Sequence, residues 1–155
     1  MSVRSAGILL WRDAAAGREV WIGHMGGPHW ARKDERAWSI PKGEYGDDEE
    51  PLVAALREFA EETGLPAPRL DYALLGEYRY SSGKILTVFA AEAPVFDPPA
   101  IDPGTFELEW PPRSGRMQSF PEIDRARWAT LEEARTRLVA AQVPILDAVA
   151  PRPAG

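Results

Sequence analysis

Glu58, Glu61 and Glu62 stand three and four residues apart in PLVAALREFAEETG (Pro51 to Gly64), with Arg57 beside them and Glu49 just before. At about 100° per residue, a helix gathers the three carboxylates within a quarter turn of one face. Leu52, Leu56 and Phe59 then share the opposite side, with Ala55 at its edge. Like charges at these spacings repel and weaken a bare helix. A divalent cation reverses the sign, because Mg²⁺, Mn²⁺ and Ca²⁺ take hard carboxylate oxygens. Arg57 is placed to orient one carboxylate through paired hydrogen bonds. Taken without its surroundings, such a run is more often a solvated acidic face than a site.

The rest of the composition narrows the choice. The chain of 155 residues carries 18 Lys and Arg against 24 Asp and Glu, a net charge of −6, and no Cys. One domain over residues 1–155 is expected, with no disulfide framework and no thiolate chemistry. The acidic balance argues against a nucleic-acid partner held on a broad basic surface. An anionic ligand would need bound cations or a local basic patch. No apolar run approaches the ~20 residues of a membrane span. Ala6 to Trp11 is too short for a signal segment, so a cytoplasmic protein without a membrane partner is expected.

Several elements must position the carboxylates. Ser5 to Trp11 (SAGILLW) predicts a strand buried on both faces, joined through AAAG to a second strand over Glu19 to His24. Gly23 to Ala37 is glycine-rich and basic and predicts a loop. Trp38 to Ile40 predicts a brief strand closed by Pro41. The acidic helix is expected to start at the N-cap candidate Asp48, with Glu49, Glu50 and Pro51 in its first turn. It runs to Thr63 and ends on Gly64 in the left-handed conformation. Leu74 to Tyr80 and Lys84 to Glu92 flank a hairpin turn at Ser81 to Gly83.

Residues 94–121 hold seven of the fifteen prolines and predict a long, stiffened excursion, with a short strand at Thr105 to Trp110. Arg125 to Trp128 predicts a last strand. Thr130 to Glu133 is a capping box that opens a helix to about Ala141. Pro144 starts a further helical turn, and Ala150 to Gly155 reads as a frayed tail.

The stretch Gly43 to Leu65 resembles the Nudix hydrolase signature: Gly, five residues, Glu, seven residues, then Arg-Glu-apolar-any-Glu-Glu-any-Gly-apolar. Gly43, Glu49, Arg57, Glu58, Glu61, Glu62 and Gly64 fill every fixed position. Leu65 fills the closing apolar slot, and Phe59 is aromatic where an aliphatic residue is more usual. Seven fixed types at roughly 7% usage each coincide by chance about once in 10⁸ starting points. The flanks WSIPKG (Trp38 to Gly43) and DRARWATLEEA (Asp124 to Ala134) agree with the resemblance.

The resemblance implies a Nudix-type α/β/α sandwich, with a mixed β-sheet between the box helix and the C-terminal helices. It implies cleavage of a pyrophosphate link in a nucleoside diphosphate derivative by water, with Mg²⁺ or Mn²⁺ as cofactor. Glu58, Glu61 and Glu62 are the implied metal ligands, together with the Gly43 carbonyl. Glu49 is implied either as a further ligand or as a lock on Arg57, itself more structural than catalytic. The general base of such enzymes is a box glutamate or a later carboxylate. Glu107, Glu109 and Glu122 are the later candidates, and Glu122, six residues before Trp128, is favoured.

Lys42 and one loop arginine, Arg36 above Arg32, are expected to meet phosphate; Lys33, Arg113 and Arg116 are further candidates. Trp30 and Tyr80 are candidates for stacking on a base or ribose, whereas Trp38 is expected in the core. His24 and His29 lack metal-ligand spacing, and at least one of them is expected to hydrogen-bond within the loop. Tyr80 followed by Lys84 and ILTVFAAE, with Pro41 to Gly43 leading into the box, resembles the dinucleoside polyphosphate hydrolase branch. The expected partner is therefore a small nucleotide or polyphosphate, bound by a monomer or homodimer.

Overall fold

The computed structural model describes residues 3–151. The tail reading for residues 152–155 lies outside them. The apolar N-terminal run forms β1 (Arg4–Ala14), which a two-residue turn joins to β2 (Gly17–Met25). β3 (Trp38–Ser39) and β4 (Lys42–Glu44) follow, so the chain returns to the sheet after Pro41 instead of ending there. Next come α1 (Pro51–Thr63), β5 (Ala73–Arg79), β6 (Ile85–Glu92), β7 (Thr105–Glu109), β8 (Met117–Pro121) and β9 (Ile123–Thr130). The chain ends in α2 (Leu131–Arg137), a 3₁₀ turn and α3 (Val143–Val149). Among the described residues no helix is long and apolar enough to cross a membrane.

Seven strands build one mixed sheet in the order β3-β2-β1-β6-β5, with β4 also on β1 and β9 also on β2. β1 lies parallel to β6 over its whole apolar run, so it is central and buried on both faces. Along its other side it changes partner, from β4 at Ser5 to Gly7 to β2 from Trp11 onward. Strand alternation turns Ala6, Ile8 and Leu10 towards α1, where they pack with Ala54, Ala55 and Phe59. Leu9, Val88 and Trp38 pack on the other face with Leu138, Ile145 and Leu146 of the C-terminal segment. The molecule is thus an α/β/α sandwich. Fully burying a side chain such as Phe59 contributes about 2 kcal/mol.

Three local expectations are corrected. The residue that caps α1 is Glu50, extended and without a side-chain capping bond, so Asp48, Glu49 and Glu50 precede the helix. Pro51 needs no amide partner in the first turn and sets the start instead. The C-terminal helix stops at Arg137 because Leu138 turns extended to reach the core, and the chain resumes as α3. The proline-rich excursion contains a second, two-stranded sheet, β7 on β8, from Thr105↔Pro121 to Glu109↔Met117.

Candidate active site

The box supplies its own scaffold. Gly64 ends α1 at φ 73°, its N–H on the Ala60 carbonyl at 2.8 Å. A Cβ there would lie 1.8 Å from the Asp102 carbonyl oxygen, so glycine is required twice over. That close approach is part of a strap. Asp102 N–H donates to Thr63, Gly104 N–H to Glu61, and Glu122 N–H to Gly104, at 2.8–3.0 Å. The end of the acidic helix is thereby fastened to the β8–β9 junction, 60 residues later in the sequence.

Beneath the helix, β4 pairs with β1 so that Gly43 lies opposite Ala6, on the α1 side of the sheet. A Cβ on Gly43 would fall 1.9 Å from Glu58 Oε2. Only a glycine lets this carboxylate lie against the strand. The Arg57 guanidinium grips both oxygens of Glu49 at 2.8 Å and donates to Glu58 Oε1 at 2.7 Å and to Glu61 Oε2 at 3.1 Å. The bonds to Glu49 and Glu58 raise the Arg57 pKa, and the guanidinium holds Glu49 below the usual carboxylate range. Arg57 therefore positions Glu58, leaving its second oxygen towards Gly43.

Glu62 is the most enclosed of the carboxylates, 9% exposed. Burial pushes its pKa up to about 7; the Lys42 charge opposes the shift, while Glu122 and Glu58 add to it. Glu62 thus has one cation and two anions for neighbours. The Lys42, Gly43, Glu58, Glu61, Glu62 and Glu122 of the sequence reading all line one cavity of about 430 Å³. Ser5, Glu44, Lys84, Gly104 and Thr105 complete it.

The donors fit a hard divalent cation: oxygen ligands led by carboxylates, no His or Cys, and a glycine cradle that a Cβ would fill. Among the described residues no three acidic side chains already stand at shared ligand spacing, since Arg57 draws Glu58 and Glu61 to itself. Glu49, with both oxygens on Arg57, lies outside the cavity.

The other candidates stand elsewhere. Arg36 donates to the Arg135 and Leu138 carbonyls at the end of α2. Trp30 packs against the core under the Lys33 ammonium. The Tyr80 hydroxyl accepts from Gln142 Nε2 at 2.8 Å, with its ring on the same core cluster. Arg113 sits in the β7–β8 turn at φ 63°, where its N–H donates to Glu109, and the Arg116 N–H donates to Ser114. Glu107 lies exposed on β7, and Arg32 is exposed in its loop. His24 is buried between Asp124 and the Lys33 carbonyl, and His29 packs edge-on against Trp110. Trp38 is core, as expected.

A family model of the NUDIX domain matches residues 1–149. The chain belongs to the Nudix family. Among curated relatives, a nucleoside triphosphate pyrophosphatase/Nudix hydrolase fusion protein of Bifidobacterium longum is 34% identical over 70% of this chain and 23% of its own. An 8-oxo-(d)GTP phosphatase of Mycolicibacterium smegmatis is 42% identical over 41% of this chain and 20% of its own. An RNA pyrophosphohydrolase of Cereibacter sphaeroides is 50% identical over 23% of this chain and 22% of its own. The chain thus spans less than a quarter of the length of these relatives. Among solved structures, a C. elegans Ap4A hydrolase binary complex superposes with TM-score 0.62 at 21% identity, over 94% of this chain and 93% of the other. The NUDIX domain of Shewanella oneidensis NrtR complexed with ADP ribose gives 0.63 at 14%, over 96% and 86%. Likeness at such low identity establishes the shared Nudix fold.

Of the cavity residues, Ser5, Glu44, Gly104 and Thr105 carried no sequence signal. Ser5 opens an apolar run, and Gly104 and Thr105 lie in the proline-rich excursion. Lys84 was visible as the end of a hairpin and as part of the dinucleoside polyphosphate hydrolase pattern, without a role at the site.

Proposed function

We propose that this Nudix chain is a pyrophosphohydrolase that cleaves a phosphoanhydride link in a nucleoside diphosphate derivative, with dinucleoside polyphosphates as the leading substrates. The supporting observation is the convergence of Gly43, Glu58, Glu61, Glu62 and Glu122 with Lys42 and Lys84 around one cavity. A site for a neutral ligand has no need of two ammonium groups among five carboxylates.

In this reading Glu58, Glu61, Glu62 and the Gly43 carbonyl hold Mg²⁺ or Mn²⁺, and Glu49 acts through Arg57. When bound, such a cation would neutralise charge on the phosphate chain and make water more acidic. Lys42 places its ammonium beside the phosphate and offsets part of the site's negative charge. Glu122 takes the proton from the attacking water as its oxygen joins phosphorus, and the bridging P–O bond breaks towards the leaving group. Its backbone is pinned on both sides, by its N–H on Gly104 and its carbonyl on Gly26 N–H at 3.0 Å.

The leading substrate class rests on the Tyr80–Lys84 pattern and the Ap4A hydrolase likeness. Mononucleotide triphosphates, including oxidised ones, are the second reading, favoured by the names of the B. longum and M. smegmatis relatives. Product analysis with Mg²⁺ or Mn²⁺ separates them. A dinucleoside tetraphosphate cut asymmetrically yields a mono- and a triphosphate, whereas a nucleoside triphosphate yields a monophosphate and pyrophosphate. The panel should include 5′-triphosphate RNA, ADP-ribose, nucleotide sugars and diphosphoinositol phosphates. Glu122→Gln should lower kcat about 100-fold with folding intact; an unchanged kcat moves the base to a box glutamate. Turnover on none of the panel, with nucleotide bound only when the cation is present, would replace the enzyme with a nucleotide sensor.

A further inference from the structure

Ser5 is 1% exposed, and its Oγ is the one buried side-chain polar atom among the described residues with no hydrogen-bond partner. A hydroxyl enclosed without a partner destabilises the fold, so its presence calls for a reason. Packing does not supply one. The next residue, Ala6, is fully buried on the same strand, and an alanine at position 5 would spare the orphaned group.

The register shows what surrounds it. Ser5 lies opposite Glu44 on β4 and beside Leu86 on β6, while Gly7 lies opposite Lys42. Cross-strand partners share a face, so Lys42, Glu44 and Lys84 (two residues before Leu86) stand on the Ser5 side of the sheet. All four line the same cavity as Glu58 and Glu62. Ser5 is therefore a hydroxyl on the sheet face that it shares with the two lysines, opposite the face on which Gly43 receives Glu58. Glu44 is the local competitor, but its contact with Lys84 is a long one at 4.0 Å, between an exposed carboxylate and a half-buried ammonium. An anion can exchange with it at little cost.

We propose that Ser5 Oγ donates a hydrogen bond to a non-bridging oxygen of the substrate's phosphate chain, at the end of the cavity bounded by Lys42 and Lys84. This deepens the pyrophosphohydrolase reading and rests on it. A hydroxyl suits that place because a phosphate oxygen accepts only, and a small neutral donor fits where a third ammonium would not. The carboxylates handle the reacting phosphorus, and Ser5 holds phosphate beyond it. Ser5 is thus a binding residue with no part in proton transfer.

The test compares wild type, Ser5→Ala and Ser5→Cys in titrations with methylenediphosphonate plus Mg²⁺, in kinetics on diadenosine tetraphosphate, and in urea denaturation. Ser5→Ala should weaken methylenediphosphonate about tenfold and raise KM about tenfold, with kcat changed less than about twofold. Its urea midpoint should stay or rise, because the orphaned hydroxyl is gone. Ser5→Cys keeps the volume but donates weakly, and should lose affinity in the same way. Wild-type affinity in Ser5→Ala, beside normal wild-type binding and turnover, overturns the Ser5 assignment alone. A lowered urea midpoint with reduced kcat also overturns it, by making the hydroxyl structural. A wild type that neither binds methylenediphosphonate nor turns over any pyrophosphate fails the underlying reading, and the Ser5 assignment falls with it.

Discussion

Two polar clusters are buried in this sheet, and they are finished differently. Around Gln142, fully buried, every group is paired: Oε1 accepts from Ile40 N–H at 2.9 Å, and Nε2 donates to Ser39 Oγ and Tyr80 OH at 2.8 Å. Ser39 in turn donates to the Ile40 carbonyl at 2.7 Å. Around Glu62 the pairing is incomplete. The carboxylate is buried among Glu58, Glu122 and a single Lys42, and the Ser5 hydroxyl in the same cavity has no partner. A satisfied network ties the C-terminal segment to β3 and specifies the fold. An unsatisfied one keeps its capacity for something that is not protein, at the expense of stability.

If that contrast holds, changes at the two clusters should act on different observables. The largest effect is expected from Glu62→Gln, which should reduce kcat/KM about 10³-fold while the protein stays folded. Steady-state kinetics at limiting Mg²⁺ would show it, and near-wild-type turnover would remove Glu62 from the ligand set. Gln142→Ala should do the reverse. With the Ile40 N–H left unpaired and the Ser39 and Tyr80 hydroxyls each missing a donor, it should lose about 3 kcal/mol in urea denaturation while turnover per folded molecule is kept.

The pH dependence of stability sharpens the comparison. Glu62 has a folded-state pKa raised to about 7 from an unfolded value of 4.5. The native state therefore binds the extra proton between these values, and the Glu62 contribution is present below the unfolded pKa and lost as pH rises through about 7. Cation-free wild type should lose up to about 3 kcal/mol across that window relative to Glu62→Gln. The lowered carboxylates, Glu49 and Glu133 among them, act at more acidic pH and leave the window clear. Parallel pH–stability curves for the two proteins would contradict the buried carboxyl. The smallest effect belongs to Tyr80→Phe, which keeps the ring and removes one acceptor from Gln142; about 1 kcal/mol of stability should go, measurable by urea denaturation.

The strands, α1 and the capping box at Thr130 were legible because each is a local pattern. Apolar runs, a 3.6-residue period, Gly64 and the Thr130–Glu133 pair act within a few residues. Boundaries failed where a distant contact decided them. Leu138 leaves helical geometry to enter the core, and the strand expected at Thr105 to Trp110 gains a partner, β8, that the surrounding prolines had masked. Tyr80 and Arg36 were assigned to the ligand from residue type, yet their hydrogen bonds go to residues 62 and about 100 positions away.

What the sequence determined by itself was the identity and spacing of Gly43, Glu49, Arg57, Glu58, Glu61 and Glu62, because one helix and the short strand and turn before it carry them all. Side-chain chemistry and helical period then sufficed to predict an acidic, cation-seeking face. Which further groups meet that face was decided only by the tertiary structure. Glu122 arrives through the strap at Asp102 to Gly104, Lys84 through β6 lying parallel to β1, and Ser5 through the pairing of β1 with β4. Those are long-range backbone pairings. They depend on sheet register and loop closure, which no local periodicity encodes.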